Sequence, residues 1–532
     1  MSLSQRRQVA KDTGIIVAVT LISKVTGLVR TVVQATVYGA SVFNDSFVAA
    51  TVYPNIVFAG INNAITTTLI PLYTEIRERD GREAAFRYAN VVETTLLLGL
   101  LAVLGLGYAA ASWLMPLYLP GWVHKVADGW NLITLTVDLT WVMLPSLIFL
   151  GLAGVQTALL QAEGEFGVPA ALGIPQNIIL VLAMLLLASR LNIFAAAVGT
   201  VLAGVAMLVV QSWPLRRIGY RFHPEWNFQH PELRRMGRMV VPVFLATFVG
   251  QAGYIVDRIL ASGLRTGSMS ALNYASLVNN VVLGLFVTAL VTVLYPTLSR
   301  YTARRDAAGF VQAVRRSLGM LTVATMPMTV GVVILAVPII RVVYQRGAFT
   351  SSATHETAFA LAFFAVGLVG NAAAILLPRA FFALKDTRTP TAFGIAAVAV
   401  NIAADLALVH PLRLGGLALG TSLAQWALTG VLLWRLRRRV GPIGGGRLAA
   451  TAMKAFAASA IMGALVYGLY HEAAGRLPVG HATWSALLLL ALAVVGLAVY
   501  ALMAWLFRID EFSYLIGLVR DAWARRPGSA RG

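Results

Sequence analysis

Stretches of mostly apolar residues recur from one end of this 532-residue chain to the other, and each is long enough to cross the hydrocarbon core of a bilayer as a helix, which takes about 20 residues. Backbone groups in hydrocarbon have no water to bond, so such runs commit the chain to membrane-spanning helices. By that ruler about fourteen candidates can be counted. Six fall near 13–37, 45–73, 88–115, 130–160, 168–188 and 193–213, and six more near 239–262, 270–298, 311–337, 354–384, 391–409 and 415–434. The last two are 449–470 and 483–507, followed by an amphipathic tail, 511–523, that reads as an interfacial helix. The expected fold class is therefore all-α, a polytopic membrane protein. Composition agrees: 58% of the residues are hydrophobic and 12% charged, against roughly a quarter charged in soluble domains. The absence of Cys excludes disulfides, thiolate metal sites and a Cys nucleophile. The first run follows Arg6, Arg7 and Lys11, as a signal peptide would, but Lys24 and Arg30 interrupt it and no small-residue cleavage site follows, so it reads as a retained helix.

The formal charge of +20 would suggest nucleic acid in a soluble protein. Here topology accounts for it. With a cytoplasmic N-terminus, the even-numbered connections should hold the Lys and Arg. They do: Arg77, Arg79, Arg82 and Arg87 follow span 2, Arg216 to Arg238 follow span 6, Arg300 to Arg316 follow span 8, and Arg435 to Lys454 follow span 12. The opposite side holds only Lys125, Arg190, Arg265, Arg341, Arg346, Arg413 and Arg476. The charge is a cytoplasmic collar facing anionic membrane lipid, with both termini inside and no nucleic-acid partner expected. The connection after span 4 breaks the pattern, carrying Glu163 and Glu165 and no Lys or Arg.

The chain also repeats itself. Pro71, Asp80 and Phe86 return as Pro296, Asp306 and Phe310; Glu165, Pro169 and Gly173 return as Asp386, Pro390 and Gly394. Ala197-Val198-Gly199-Thr200 returns as Ala418-Leu419-Gly420-Thr421, and Leu215-Arg216-Arg217 as Leu436-Arg437-Arg438. Six helices per copy is an even number, so both copies share one orientation, as in parallel-repeat transporters. The expected organisation is a six-helix lobe at 1–222, a second at 223–440, a cavity between them, and two added helices with the tail at 441–532.

A charge at mid-membrane costs about 2.5–3.5 kcal/mol on insertion scales and needs a reason. In span 1, Ser23, Gly27, Arg30 and Gln34 form one polar stripe bordered by Lys24 and Thr31, which must face the bundle interior or a wet cavity. Span 2 opens with Asn44-Asp45 and carries Asn55 and Pro54; the matching span 8 carries Ser270, Asn279 and Asn280; Asp257 and Arg258 lie in span 7. The competing reading is structural: snorkelling or ion pairing for the charges, helix-to-helix bonding for Asn and Thr. Glu93, Asp138 and Asp405 fit that reading better. The two His-Pro-Glu triplets (His223 to Glu225, His230 to Glu232) fit helix entry rather than a metal site. The candidate substrate-binding residues are Arg30, Lys24, Asp45, Gln34, Asn55, Arg258, Asp257, Ser270 and Asn280, with no catalytic and no metal-ligating residue. Cations in such a cavity suit an anionic, phosphate-bearing substrate, whereas a drug or cation exporter should show carboxylates there. No nucleophile–base pairing or phosphate-cradling loop suggests an enzyme, and no filter-like segment suggests a pore.

Several stretches resemble a known family. Residues 23–30 (Ser-Lys-Val-Thr-Gly-Leu-Val-Arg), Tyr38-Gly39-Ala40, Asn44-Asp45, Tyr53-Pro54-Asn55, and above all 379–390 (Arg-Ala-Phe-Phe-Ala-Leu-Lys-Asp-Thr-Arg-Thr-Pro) are similar to the MurJ/MviN lipid II flippases of the multidrug/oligosaccharidyl-lipid/polysaccharide exporter superfamily. The resemblance covers essentially the whole chain. It implies fourteen helices, two lobes around a cationic chamber, and a groove on spans 13 and 14 for an undecaprenyl tail. The implied activity is alternating-access transport of lipid II, the undecaprenyl-pyrophosphate-linked muropeptide, from the inner to the outer leaflet of the bacterial plasma membrane for cell wall synthesis. Arg30 matches the arginine of the family's first helix, Lys24 a position where many members have arginine, and Asp45 the acid opening the second helix. The sequence departs where enterobacterial members carry an arginine pair after Pro-Asn, here Ile56-Val57-Phe58, and at Leu277, where the family has an arginine in the eighth helix. Arg258 is a candidate partial substitute. Those departures leave a flippase for another polyprenyl-linked glycan as the alternative, ahead of a drug/cation antiporter. No cofactor is expected. A membrane potential, at about 2.3 kcal/mol per charge per 100 mV, could bias the cycle.

Overall fold

The computed structural model describes residues 3–476 and 482–524. The side chains of Arg6, Arg7, Lys11 and Arg476 lie outside the described residues. The chain falls into two compact units, one of Met1–Ser270 with Arg346–Thr350, the other of Ala271–Gln345 with Ser351–Gly532.

The first unit begins with α1 (Leu3–Tyr38), α2 (Val42–Asp80) and α3 (Arg82–Tyr118). Ser41 accepts a hydrogen bond from Asn44 N and starts α2; Gly81, with φ +88°, separates α2 from α3. A two-stranded hairpin, β1 (Val126–Ala127) and β2 (Trp130–Asn131), follows. Its turn is Asp128-Gly129, both with positive φ, the dipeptide that such turns favour. Asn131 then caps α4, its Oδ1 accepting from Ile133 N and Thr134 N at 3.0 and 3.1 Å. The unit continues with α4 (Leu132–Met143), α5 (Ser146–Ala162), α6 (Gly167–Ala171), α7 (Gly173–Leu191), α8 (Phe194–Arg217), α9 (Pro231–Gly250) and α10 (Ala252–Ser262). Its core at one end joins Leu69, Tyr73, Tyr88, Leu159 and Tyr220; at the other it joins Tyr38, Phe47, Leu139 and Met184.

Helix α11 (Ser268–Ala303) opens within the first unit and runs on into the second. Then come α12 (Ala307–Ile334), α13 (Ala336–Tyr344), α14 (Ser351–Val366), α15 (Leu368–Ala383), α16 (Arg388–Leu412), α17 (Leu414–Val440), α18 (Gly445–Arg476), α19 (Ala482–Leu506) and α20 (Asp510–Ala524). A third core cluster, with Val323, Leu335, Met462 and Tyr500, binds α12 to the last helices. The tail helix α20 packs there through Phe512, whose ring meets Tyr500 edge-on at 6.1 Å.

The elements sit where the apolar runs predict. Among the described residues ten helices are long and apolar enough to cross a membrane, or twelve if each bent pair is one span. Helices α1 and α11, each 36 residues, fall on the first and eighth expected spans. Two expected spans bend sharply at a break. The fourth bends by 42° between α4 and α5, and the tenth by 47° between α14 and α15. Pro145 lies at the first break and Gly367 at the second, 222 residues apart, so the kink recurs within the repeat. Proline lacks the amide hydrogen that the helix needs and glycine weakens it, which explains why these points give way.

Candidate functional site

The polar residues flagged on α2 and α11 meet at the corner between the first helices of the unit. Asp45 is 1% exposed. Its carboxylate accepts from Ser270 N at 2.7 Å, from the Ser270 hydroxyl at 2.5 Å and from Gly267 N at 2.6 Å. Asn44 donates to Ser270 Oγ at 2.9 Å, and Gln34 of α1 donates to Asn44 Oδ1 at 2.8 Å. Asp45 thus lies in the first turn of its own helix and at the start of α11. Both ends carry the partial positive charge of free amide groups, so a buried carboxylate is tolerated there. Three donors replace the water it has lost.

Backbone packs tightly around this network. Gly39 has φ +61°, and a β-carbon there would overlap Ala348 O; Ala348 N donates to Thr36 O at 2.8 Å. Gly267 has φ +94°, and its β-carbon would lie 2.6 Å from Ala40 O. Only glycine fits either position without shifting backbone. Lys125, on the loop before the hairpin, donates to Leu264 O at 2.8 Å. Burial pushes its amine below the usual lysine range, and the Asp45 charge pulls the other way.

The remaining candidates lie elsewhere. Arg258 is 2% exposed; it donates to Met269 O at 3.2 Å and to the Tyr254 hydroxyl at 3.0 Å, with its guanidinium 4.6 Å from the Tyr254 ring centre. Those contacts tie it to the α10–α11 corner. Asp257 and Arg30 are half-buried, and Lys24, Asn55 and Asn280 are exposed. The upper part of the α1 stripe faces α7: Asn177 Nδ2 donates to Ser23 O at 3.3 Å and to Thr26 Oγ1 at 3.2 Å, and packs on Gly27. His223 Nδ1 meets Arg221 O, and His230 Nδ1 accepts from Glu232 N at the start of α9. Among the described residues no three His, Cys, Asp or Glu side chains cluster as a metal would need.

The second unit contains an apolar groove of about 490 Å³. Pro327, Met328 and Leu335 of α12, Met462 and Val466 of α18, and Leu492, Leu497 and Tyr500 of α19 line it, with Phe512 and Leu515 of α20. Sequence reasoning missed both this enclosure by α20 and the amide donors of Gly267 and Ser270. One signal was available for the network: Asn44 and Ser270 are 226 residues apart, the repeat spacing itself.

The kinked, repeated helix order is a fold shared with solved membrane transporters. A solved inward-facing MATE family transporter of the MOP superfamily superposes with a TM-score of 0.65 at 12% identity, covering 81% of this chain and 98% of that one. A structure described as "Lipid II flippase MurJ, inward closed conformation" gives 0.78 at 24% identity, over 93% of this chain and 99% of the other. The profile of the family "Lipid II flippase MurJ" matches residues 34–498, so the chain belongs to the MurJ family. The relative from Vibrio cholerae named "Probable lipid II flippase MurJ" is 30% identical over 441 residues, 79% of this chain and 82% of its own length. One of the same name from Rhizobium tropici is 29% identical over 517 residues, 95% and 94%. The chain is thus a membrane transporter of this family rather than an enzyme.

Proposed function

We propose that this protein moves lipid II from the inner to the outer leaflet of the bacterial plasma membrane by alternating access, supplying cell wall synthesis. The observation that carries the reading is the unbroken family match from residue 34 to 498. In this reading α1 and α11 complete fourteen spans, and both termini are cytoplasmic, a topology that the distribution of Lys and Arg supports. The lipid tail stays in the bilayer along the apolar groove of α12, α18, α19 and α20, where burial of apolar surface gains roughly 25 cal/mol per Å². Arg30 and Lys24 take the pyrophosphate, the arginine in bidentate fashion and the lysine as a point charge.

Reconstitution in liposomes with lipid II, followed by a probe for head groups on the far leaflet, tests this directly. Arg30→Ala, inserted normally, should reduce transport at least about tenfold, the loss of one charge-assisted contact; full growth with this variant as sole flippase would remove Arg30 from the site. The second reading, a flippase for another polyprenyl-linked glycan, rests on the uncharged residues Val57 and Leu277 where the family carries arginine. It predicts that a different lipid-linked glycan is moved in the same assay and lipid II is not.

A further inference from the structure

A second cavity lies in the first unit, at the end of α5 and α8 away from the Asp45 network. It measures about 570 Å³, and Gln156, Ser212, Tyr220, Arg216, Arg221 and His223 are among its lining residues. Arg216 and Arg221 are exposed, and neither has a carboxylate partner among the described residues. Gln156 is only 6% exposed. Its Nε2 donates to Ser212 Oγ at 3.3 Å, while the Ser212 hydroxyl donates to Leu208 O at 2.8 Å. The Gln156 Oε1 atom is buried with no hydrogen-bond partner. A buried amide oxygen in that state costs about 1–3 kcal/mol. The pocket therefore offers two cations at its rim, and behind its wall lies an unused acceptor that a turn of the Gln156 side chain would bring to the lumen.

We propose that this pocket binds the head group of an acidic phospholipid bearing free hydroxyls, as in phosphatidylglycerol. The phosphodiester lies between Arg216 and Arg221, and a glycerol hydroxyl donates to Gln156 Oε1. A zwitterionic ethanolamine head also brings donors, but it sets an ammonium beside two guanidinium groups. The depth fits a lipid. Trp213, one turn before Arg217 on α8, is 61% exposed, and the Arg217 guanidinium stacks 3.5 Å from its ring centre, the amphipathic pairing found at head-group level. In the proposed topology this is the inner leaflet, where basic pockets meet anionic lipid.

Native mass spectrometry of the full chain tests it, with phosphatidylglycerol and phosphatidylethanolamine of matched acyl chains as probes. The unaltered protein should prefer the glycerol lipid, and Arg216→Ala/Arg221→Ala should cut that preference by about tenfold or more, the worth of charge-assisted bonds. Arg304→Ala/Arg305→Ala, an equal loss of charge elsewhere on the collar, should leave it intact. Gln156→Leu should weaken phosphatidylglycerol but not phosphatidic acid, which has no glycerol hydroxyl to offer. Equal losses in the two arginine pairs, or no loss in the first, overturn the proposal. Displacement of the lipid by millimolar glycerol phosphate or inorganic phosphate also overturns it, by assigning the pocket to a soluble anion.

Discussion

The corner after α5 and the corner after α15 are the same turn built with different chemistry. In the first, Gly164 takes φ +87° and Glu165 N donates to Leu160 O at 2.8 Å. In the second, Lys385 takes φ +60° and Asp386 N donates to Phe381 O at 2.9 Å. The backbone closes each helix with the same left-handed step and six-residue bond, 221 residues apart in sequence. The acids then diverge. Glu165 is exposed, and Glu163, two residues earlier, accepts from the Tyr73 hydroxyl at 2.7 Å and pairs with Arg82 and Arg77 at 2.9 and 3.2 Å. Asp386 instead caps α16, accepting from Thr389 N at 3.0 Å, and pairs with Arg439. One corner spends its acid on α2 and α3. The other spends it on its own next helix and on α17, and this is why the cavity beside the second corner holds a carboxylate among its arginines while the one lined by Arg216 and Arg221 does not.

Substitutions at the two corners should separate these roles. Glu163→Ala removes three bonds from a carboxylate only 4% exposed, and should lower unfolding stability by about 2–3 kcal/mol; a melting midpoint equal to that of the unaltered protein would end the assignment. Gly164→Ala and Lys385→Gly should move stability in opposite directions, each by about 1 kcal/mol, because only glycine adopts the left-handed step without cost. Movement in the same direction would mean that the corners are not equivalent. The smallest effect concerns pH. Thr389 N, then the Thr389 hydroxyl and Arg439, hold the Asp386 carboxyl below its usual range against the opposing cost of burial. Its contribution is complete above the unfolded value of about 4 and is lost as pH falls through the lower folded value. Asp386→Asn should therefore lose stability at neutral pH but flatten the acid limb of a melting-temperature profile; an unchanged acid limb argues against the cap.

Apolar run length located the helices, since each expected span falls on one helix or on two consecutive ones. The kinks were half visible, in Pro145 and Gly367, but their angles depend on packing. In the polar corner, Gln34, Asp45 and Ser270 stood out as costly groups in an apolar setting, yet their mutual bonds did not, because two of the three donors to Asp45 are backbone amides that every residue carries. Lys24, Asn55 and Asn280 stood out equally and lie apart from that network. Residue type marks which side chains need a partner, and only the fold says which one they get. The most family-specific stretch, 379–390, turns out to encode a local device: the end of α15, the left-handed Lys385, and the Asp386 cap. The apolar groove was expected for α18 and α19 alone, since no periodicity in α20 reveals what it packs against.

The bond between Asp45 and Ser270 also sets a schedule for biogenesis. The carboxylate emerges from the ribosome 225 residues before its partner, a delay of roughly 10–45 s at ordinary synthesis rates. Throughout that interval the start of α2 carries a charge with no amide to receive it, so the nascent protein must keep this corner wet, or its acid protonated, until α11 arrives.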